Sequence, residues 1–239
     1  KLPALLQPKL DGVRCLMAFN GNSVQFTSRS GKQYTTLSHI EEELLNKEWG
    51  DDLIILDGEI YSHEISFQEI ISAVKVQGPN STKLHFRAYD VIDAGNQVAR
   101  FGLLSQFKYI HLVETLMVYT KDEIMTKHNE WVGNGYEGAM IRHLKGIYKQ
   151  GARSSDLLKV KVFLEEEFDC FAIVQGKREE DLIAVCKTKE GKEFKAKLMG
   201  DRYYKENLIK KDLLTVKFFG WTDDNLPRFP IGKTFRNYE

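Results

Sequence analysis

The sequence predicts an α+β domain followed by a small all-β barrel. Over residues 1–161, segments of β-favouring residues alternate with signals that start helices. After about Phe163 the pattern changes to short β-like segments separated by turn-rich stretches. A chain of 239 residues with 42% apolar residues is long enough to build two cores. We therefore predict domains at residues 1–161 and 162–239.

The first predicted element is a β-hairpin. The runs "GVRCLMAFN" and "SVQFTSR" flank the turn pair Gly21 and Asn22. The cluster "KLDGVR", which begins at Lys9, would then lie at the entrance to this hairpin.

Helices and strands alternate along the rest of the first domain. Three helix starts have the spacing of a capping box, at Ser38 with Glu41, Ser66 with Glu69, and Thr120 with Glu123. The segments between and after them that predict strands are "LIILDGEIY", "KLHFRAYDVI", "TLMVYT", "EGAMIRH" and "LLKVKVF". No glycine-rich phosphate loop follows the first strand, which argues against a P-loop or dinucleotide fold.

The second domain consists of short β-like segments within about 75 residues. They are "FDCFAIVQGK", "LIAVCKT", "EFKAKLM" and "LLTVKFFGW". Several short strands with turns such as "KEGK" between them predict a small barrel of the OB-fold type.

Composition excludes several classes of protein. The 34 basic and 34 acidic residues cancel, so any basic surface must be local. Three cysteines without paired spacing predict neither a disulfide framework nor a zinc site, which favours an intracellular, reduced protein. No run of about 20 apolar residues is present to span a bilayer, and we expect no membrane association.

The cluster Lys9, Asp11, Gly12 and Arg14 is the strongest candidate for chemistry. Asp-Gly alone is a common turn pair, but the four-position pattern K-x-D-G-x-R arises by chance in a chain of this size only on the order of a few times per thousand. A lysine amine attacks only in its deprotonated form, which a neighbouring cation such as Arg14 favours. Gly12 would let the backbone turn closely beside a ligand.

Taken together, the motifs resemble those of the covalent nucleotidyltransferases, which include ATP-dependent DNA ligases, RNA ligases and messenger-RNA capping enzymes. After "KLDGVR", further segments follow in the family's order, namely "SRSG", "LDGEIY", "FRAYDV", "EGAMIR", "LLKVK" and "PRFPIGKTFR". The resemblance implies an adenylation (nucleotidyltransferase) domain followed by an OB-fold domain.

The resemblance also implies a role for each matching residue. Lys9 would attack the α-phosphate of ATP to give a lysyl-AMP, and Glu59 and Glu137 would bind Mg²⁺ or Mn²⁺. Tyr89 would lie over the adenine ring. The other expected nucleotide contacts are Gln7, Leu10, Arg14, Arg29, Glu59, Lys159, Lys161, Arg228, Lys233 and Arg236.

One pair of these residues rests partly on geometry. Lys159 and Lys161 alternate with Val160, so a strand would direct both ammonium groups to one face and the valine into the core. Arg228, Lys233 and Arg236 lie in the closing motif, which is looser than the others. In the family, its basic groups align the pyrophosphate for in-line departure.

Among the family's members, the OB-fold domain and the "LPRFP" ending are most similar to small viral and bacterial ATP-dependent DNA ligases. The implied partner is nicked double-stranded DNA, and we expect the protein to act as a monomer. We expect it inside the cell, in the cytoplasm or nucleoid, or else in the nucleus or a viral factory. Two further features favour DNA contact. The segment 143–155 contains glycines and several basic side chains. The barrel contributes Lys187, Lys189, Lys192, Lys195 and Lys197, although acidic residues are interleaved among these lysines. An RNA ligase, a capping guanylyltransferase that uses GTP, and a non-catalytic nucleic-acid-binding module remain alternatives.

Overall fold

The computed structural model of the chain describes residues 1–20, 22–47, 53–152, 154–200 and 213–235. The chain divides into two compact units, Lys1–Val160 and Lys161–Glu239. Gly21 of the predicted hairpin turn and Arg236 of the closing motif lie outside the described residues.

The first unit contains nine strands and four α-helices within the described part of the chain. The strands are β1 (Ala4–Lys9), β2 (Val13–Phe19), β3 (Val24–Ser28), β4 (Ile54–Tyr61), β5 (His85–Val91), β6 (His111–Leu112), β7 (Leu116–Val118), β8 (Gly138–His143) and β9 (Leu157–Lys161), of which β9 ends on the first residue of the second unit. The helices are α1 (Ser38–Leu45), α2 (Phe67–Lys75), α3 (Gln97–Leu104) and α4 (Lys121–Gly133), with a 3₁₀ turn at Ser81–Lys83.

These strands form two sheets, with the orders β3-β2-β4-β5-β6 and β7-β1-β8-β9. In the five-stranded sheet the predicted hairpin of β2 and β3 pairs antiparallel, and β4 pairs with both β2 and β5. In the other sheet β1 lies between β7 and β8, and Lys9 pairs with Gly138. Lys9 is thus the last residue of a central strand.

The five-stranded sheet has one apolar face and one polar face. Alternation buries residues such as Cys15, Met17 and Leu56 in the core with the helices. The register of the opposite face places Arg14 opposite Glu59 and Glu59 opposite Arg87. Polar side chains from three neighbouring strands therefore share one surface.

At two positions the neighbouring backbone lies so close that only glycine fits. A Cβ atom on Gly12 would lie 2.4 Å from the carbonyl oxygen of Ile60 and 2.7 Å from Cγ of Glu59. On Gly58 it would lie 2.6 Å from the carbonyl oxygen of Arg87, at the bulge where the register of β4 and β5 shifts. The glycine of "LDGVR" thus lets the chain before β2 pass close to β4, and the glycine of "LDGEIY" lets β4 and β5 approach each other closely.

The helix starts were predicted with mixed success. Ser66 and Glu69 form the complete reciprocal capping box at the start of α2. The hydroxyl of Thr120 accepts from the Glu123 amide at the start of α4, as predicted. The prediction for Ser38 was wrong, because Leu37 occupies the N-cap position of α1 and no side chain caps that helix. Helix α3 was missed altogether; it is capped by Asn96.

The second unit is the predicted barrel. Its strands are β10 (Leu164–Gln175), β11 (Leu182–Lys187), β12 (Glu193–Leu198), β13 (Leu213–Phe218) and β14 (Ile231–Phe235), and they close in the order β10-β11-β12-β14-β13. Phe168, Phe194 and Phe218 lie in its core, with the ring of Phe168 edge-on to the other two. Strand β14 had not been predicted, because its segment "IGKTF" carries a glycine and a lysine within five residues.

All three cysteines are buried and form no disulfide. Cys15 lies in β2, and Cys170 and Cys186 face each other across β10 and β11 of the barrel. Burial raises the pKa of the Cys15 thiol well above its ordinary value. Separately, none of the helices in the described ranges is both long and apolar enough to cross a membrane.

Candidate active site

A cavity of about 260 Å³ lies beside Lys9 in the first unit. We call it the Lys9 cavity. Residues from β1, β2, β4, β5 and β8 line it, together with the segment 146–157 that follows β8. The predicted site residues among its lining are Gln7, Lys9, Leu10, Arg14, Glu59 and Tyr89.

Lys9 is held by Glu137. The ammonium group forms an ion pair with the Glu137 carboxylate, and both side chains are mostly buried, with exposed fractions of 21% and 14%. The Glu137 amide in turn donates to the carbonyl oxygen of Lys9 at 2.9 Å. The strand pairing of β1 with β8 therefore brings together the predicted nucleophile and a predicted metal ligand that are 128 positions apart in the sequence.

Gln7 fixes the strand that carries Lys9. Its amide nitrogen donates to the carbonyl oxygen of Tyr89 at 3.1 Å and to Oγ1 of Thr115 at 2.9 Å. Its amide oxygen accepts from Nε of Arg142 at 2.6 Å. All the hydrogen-bonding groups of this buried side chain are thus used within the protein, so Gln7 contributes shape and position to the cavity.

Asp57 is the centre of a cluster that the sequence analysis missed. Its carboxylate accepts two hydrogen bonds from Arg14, Nε to Oδ1 at 2.9 Å and a terminal nitrogen to Oδ2 at 2.8 Å. The hydroxyl of Tyr148 donates to Oδ2 at 2.8 Å and that of Tyr89 to Oδ1 at 3.2 Å. The signal in the sequence is the alternation in "LDGE", which places Asp57 and Glu59 on the same face of β4.

Tyr89 lies in the wall of the cavity with its ring facing a cation. The guanidinium carbon of Arg142 is 5.1 Å from the ring centroid. Burial raises the pKa of the Tyr89 phenol well above its ordinary value, and the Asp57 charge adds to the rise. The ring therefore remains a neutral phenol that can stack and donate.

Glu59 lies between groups of opposite charge. Burial raises the pKa of Glu59 to about 8, and the negative charges of Asp57 and Glu137 add to the increase. Lys9 and Arg14 oppose it but do not cancel it. Glu59 is therefore a carboxyl group that titrates near neutral pH and would gain from an added positive charge.

A second carboxylate, Asp90, organises the buried wall of the cavity. Arg100 donates to it through Nε at 2.9 Å, and Arg142 donates at 2.7 Å. Arg100 also donates to Oε1 of Gln97 at 2.7 Å and to the carbonyl oxygen of Gly146 at 3.0 Å. This cluster ties β5, α3, β8 and the segment after β8 into one rigid wall.

Described residues of the segment 143–155, for which we predicted contact with DNA, line the Lys9 cavity. Ile147, Tyr148, Lys149 and Ala152 line the Lys9 cavity, and Arg100 stacks against Tyr148 with its guanidinium carbon 5.7 Å from the ring centroid. Its predicted contact with DNA stays a prediction.

Three predicted residues of the first unit are not among the described residues that line the Lys9 cavity. One is Glu137, which is joined to the cavity through its ion pair with Lys9. Arg29 is exposed in the turn after β3. Lys159 is exposed on β9, while Val160 packs against the core around β1 as predicted.

The remaining predicted residues belong to the second unit. The Nζ atom of Lys161 lies 4.4 Å from the ring centroid of Phe219. Lys233 forms an ion pair with Glu165 at 2.9 Å, and the Arg228 amide donates to the carbonyl oxygen of Gly220 at 2.8 Å.

The predicted metal ligands Glu59 and Glu137 act on each other electrostatically, since the charge of Glu137 contributes to the raised pKa of Glu59. Across the described part of the chain, no group of three or more His, Cys, Asp and Glu side chains converges as a metal site. The carboxylates thus offer a partial set of hard oxygen ligands, of the kind that Mg²⁺ completes with phosphate oxygens and water.

Comparison with known proteins identifies the first unit. Residues 2–161 match the family model "ATP dependent DNA ligase domain". The chain is 30% identical over 247 residues to the DNA ligase of African swine fever virus, which covers 90% of this chain and 58% of the viral protein. It is 22% identical to the DNA ligase of Enterobacteria phage T4, over 75% of this chain and 48% of that protein. The chain therefore spans about half the length of these curated relatives.

Solved structures share the fold. The structure described as "DNA binding with a minimal scaffold: Structure-function analysis of Lig E DNA ligases" superposes with a TM-score of 0.80 at 22% identity, covering 98% of this chain and 93% of that one. The bacteriophage T7 ATP-dependent DNA ligase in complex with ATP gives a TM-score of 0.57 at 18% identity, covering 98% and 92%. The predicted fold class, a nucleotidyltransferase domain followed by an OB-fold barrel, is confirmed.

Proposed function

This chain belongs to the ATP-dependent DNA ligase family, and from that premise we propose that it seals nicks between a 5′-phosphate and a 3′-hydroxyl in duplex DNA. The observation that carries the proposal is the position of Lys9, at the end of a central strand and in the wall of a cavity of about 260 Å³. A mostly buried ammonium group beside a concave pocket suits a nucleophile better than a surface lysine.

The first step forms a covalent enzyme–nucleotide. The Lys9 amine attacks the α-phosphorus of ATP, a nitrogen–phosphorus bond forms, and the bond to the pyrophosphate oxygen breaks. The ammonium must first lose a proton, and the Glu137 carboxylate, which already accepts a hydrogen bond from it, is the nearest acceptor. Arg14 and Lys149 supply positive charge in the same cavity, where phosphate oxygens gain charge.

The cavity also offers groups for the nucleoside. Tyr89 presents an aromatic ring for the base, and the guanidinium of Arg142 lies over that ring. Leu10 adds an apolar contact, and Arg14 and Glu59 offer a donor and an acceptor for ribose hydroxyls. ATP is the nucleotide that the family implies.

Glu59 and Glu137 would hold Mg²⁺ or Mn²⁺. The two carboxylates fit a hard cation. Burial, together with the charges of Asp57 and Glu137, raises the pKa of Glu59, and a bound cation would favour its charged form. When bound, the ion would neutralise charge on the phosphate oxygens.

Two further transfers complete the reaction. An oxygen of the nick's 5′-phosphate attacks the phosphorus of the lysyl-AMP, so the nitrogen–phosphorus bond breaks and a DNA-adenylate forms. The 3′-hydroxyl then attacks the 5′-phosphate phosphorus, loses its proton, and releases AMP.

The second unit would supply further cations. We propose phosphate contacts for Lys161, Arg228, Lys233 and Arg236 of the second unit, and for Arg29 and Lys159 of the first unit. The lysines from Lys187 to Lys197 would track the duplex backbone, although Lys187 is paired with Glu193 and Lys197 with Asp181. We expect an intracellular monomer.

Labelling with α-³²P-ATP and Mg²⁺, followed by denaturing electrophoresis, tests the first step. We expect label to stay on the protein and to disappear in Lys9→Ala, whereas Lys108→Ala, which removes an exposed lysine of the same unit, should label normally. Label from GTP in place of ATP would instead favour a guanylyltransferase.

Sealing of nicked duplexes tests the substrate. A 5′-labelled nick in DNA should be joined, and a matched nick whose strands are RNA should be joined more slowly. Efficient sealing of the RNA nick alone would favour an RNA ligase, and DNA binding without any lysine labelling would favour a non-catalytic binding module.

A further inference from the structure

A second cavity, of about 140 Å³, lies on the polar face of the five-stranded sheet. Pro8 and Leu10 line both it and the Lys9 cavity, so the end of β1 forms a shared wall. We name it the Tyr61 cavity. We propose that it is a binding site for a single phosphate group, held by Arg87.

Arg87 is the positively charged residue that would bind a phosphate group in the Tyr61 cavity. It lies on β5 directly opposite Glu59, is partly buried, and lines the Tyr61 cavity. Its guanidinium forms no hydrogen bond or ion pair with any of the described residues. A guanidinium has five N–H donors in a planar arrangement that suits two phosphate oxygens, so an unpaired one in a concave site has donors to offer.

Neighbouring side chains add neutral donors. His85 pairs with Tyr61 across the strands and lines the cavity. Burial lowers the pKa of His85, and the charge of Arg87 lowers it further, so at neutral pH the ring is uncharged and keeps one N–H. Ser62 is buried, and its oxygen accepts from the Glu64 amide at 3.2 Å, which leaves its hydroxyl hydrogen free to donate.

Tyr61 and His63 shape the site and do not donate to it. His63 donates through Nε2 to the carbonyl oxygen of Asn134 at 2.8 Å, so its Nδ1 accepts from the hydroxyl of Tyr61. Tyr136 stacks on Tyr61 with ring centroids 6.3 Å apart. These three rings form a fixed wall, which limits the size of what can enter.

The volume suits a small oxyanion. The Tyr61 cavity, at about 140 Å³, is roughly half the size of the Lys9 cavity, at about 260 Å³, and it has room for a five-atom phosphate group. The group could come from free inorganic phosphate or from a nucleic-acid strand, and the chemistry of recognition is the same.

One carboxylate, Glu114, also lines the cavity. Its Oε2 accepts from the indole nitrogen of Trp131 at 3.1 Å, which holds it in place. Its negative charge opposes a bound anion, so its removal should improve binding. Substitutions of Arg87 and Glu114 should therefore change the phosphate affinity in opposite directions.

Histidine ring signals in ¹H–¹⁵N NMR spectra of the whole chain provide the test. His63 and His85 line the Tyr61 cavity, whereas the described lining of the Lys9 cavity contains no histidine. Titration with sodium phosphate, at constant pH and ionic strength, should shift the His85 signal in a saturable way.

Three substitutions sharpen this test. Arg87→Gln should weaken phosphate binding about tenfold or more, because a charge-assisted hydrogen bond is lost. Glu114→Gln should tighten it about fivefold, since a like charge is removed while an acceptor for Trp131 remains. Lys83→Gln removes an exposed charge just before β5 and should leave binding unchanged. If Arg87→Gln disturbs the fold, Arg87→Lys keeps the charge and should bind with intermediate affinity.

Parallel titrations with a 5′-phosphorylated and an unphosphorylated short duplex identify the source. An Arg87-dependent shift with a duplex assigns the site to a nucleic-acid phosphate, and a shift with inorganic phosphate alone assigns it to the free anion. No shift with any of the three ligands, or an affinity that Arg87→Gln leaves unchanged, would overturn the proposal. The experiment works equally in Lys9→Ala, so its outcome is independent of the proposed ligase activity.

Discussion

Asp57 and Asp90 face each other across β4 and β5, and each binds arginine, but they do so in very different surroundings. Asp57 holds Arg14, whose side chain remains 39% exposed at the cavity. Asp90 holds Arg100 and Arg142, which are 3% and 6% exposed. The arginine of the first cluster is open to a ligand, whereas the charged groups of the second are almost wholly buried, although they contribute to the wall of the Lys9 cavity.

The difference shows how one kind of contact can serve two purposes. A guanidinium that is part-exposed can exchange its carboxylate for a phosphate, because water compensates either state. Two guanidiniums that are buried cannot lose their shared carboxylate without leaving charge unpaired in the interior. We therefore expect substitutions at Asp90 to act on stability and those at Asp57 to act on the reaction.

The largest expected effect comes from Asp90→Asn. Two buried cations would lose their common counter-charge, and we expect the free energy of unfolding to fall by about 3–5 kcal/mol. Urea unfolding followed by circular dichroism measures this loss, with Asp122→Asn, an exposed carboxylate on α4, as control. A change in the urea midpoint no larger than that of the control would show that the cluster around Asp90 does not stabilise the fold.

The next largest effect should come from Asp57→Asn. Arg14 would lose a bidentate partner, and Tyr89 and Tyr148 a charged acceptor, so the labelling rate of Lys9 should fall about 10- to 100-fold. Stability should fall by only about 1 kcal/mol because Arg14 can be solvated. The comparison breaks if Asp57→Asn unfolds as easily as Asp90→Asn while labelling at the normal rate.

Glu59 provides a pH test of the same contrast. The pKa of Glu59 is raised to about 8 in the folded protein, against 4.5 as its ordinary value. Between these values the folded state binds the extra proton, so stability falls as pH rises through this window. Glu59→Gln should remove this loss of stability. We expect the loss to reach about 1–2 kcal/mol in the free energy of unfolding by pH 9, a value kept small because Glu59 is in partial contact with solvent.

The two aspartates should affect this slope differently. The Asp57 charge contributes to the raised pKa of Glu59, so Asp57→Asn should also flatten the slope. A pH slope identical in wild type, Glu59→Gln and Asp57→Asn would contradict the assignment.

The smallest effect should come from Tyr148→Phe. It removes one hydrogen bond to Asp57 and one from Arg14, which should raise the KM for ATP about two- to fivefold, equivalent to about 0.5–1 kcal/mol. The unfolding midpoint should not change. Tyr119→Phe, on an exposed tyrosine, is the control, and an equal KM for both variants would argue against a role of Tyr148 at the cavity.

The architecture followed from local patterns wherever these were strong. Ser66 capped its helix because a polar side chain and a glutamate stood at the right spacing before an apolar-periodic segment. Helix α3 escaped notice because its cap, Asn96, lacks a glutamate three residues later. Ser38 has that glutamate but lies inside α1, since tertiary packing set the start of the helix one residue earlier than the pattern did.

The candidate site was only half visible in the sequence. Lys9, Arg14 and Glu59 lie in short motifs and could be selected by pattern. Asp90 and Tyr148 could not, because their partners Arg142 and Asp57 lie 52 and 91 positions away and only the folded sheet brings them together. The catalytic and binding roles assigned to the motif residues stay predictions.

The three buried thiols can report how often each unit of the protein opens. A thiol-specific reagent such as a maleimide can modify Cys15 only when the sheet of the first unit opens, and Cys170 and Cys186 only when the barrel does. Peptide mass spectrometry of a timed reaction would therefore give the opening rate of each unit separately within one molecule. Because the three buried thiols react slowly in the folded protein, a single engineered surface cysteine could be labelled selectively with a fluorophore.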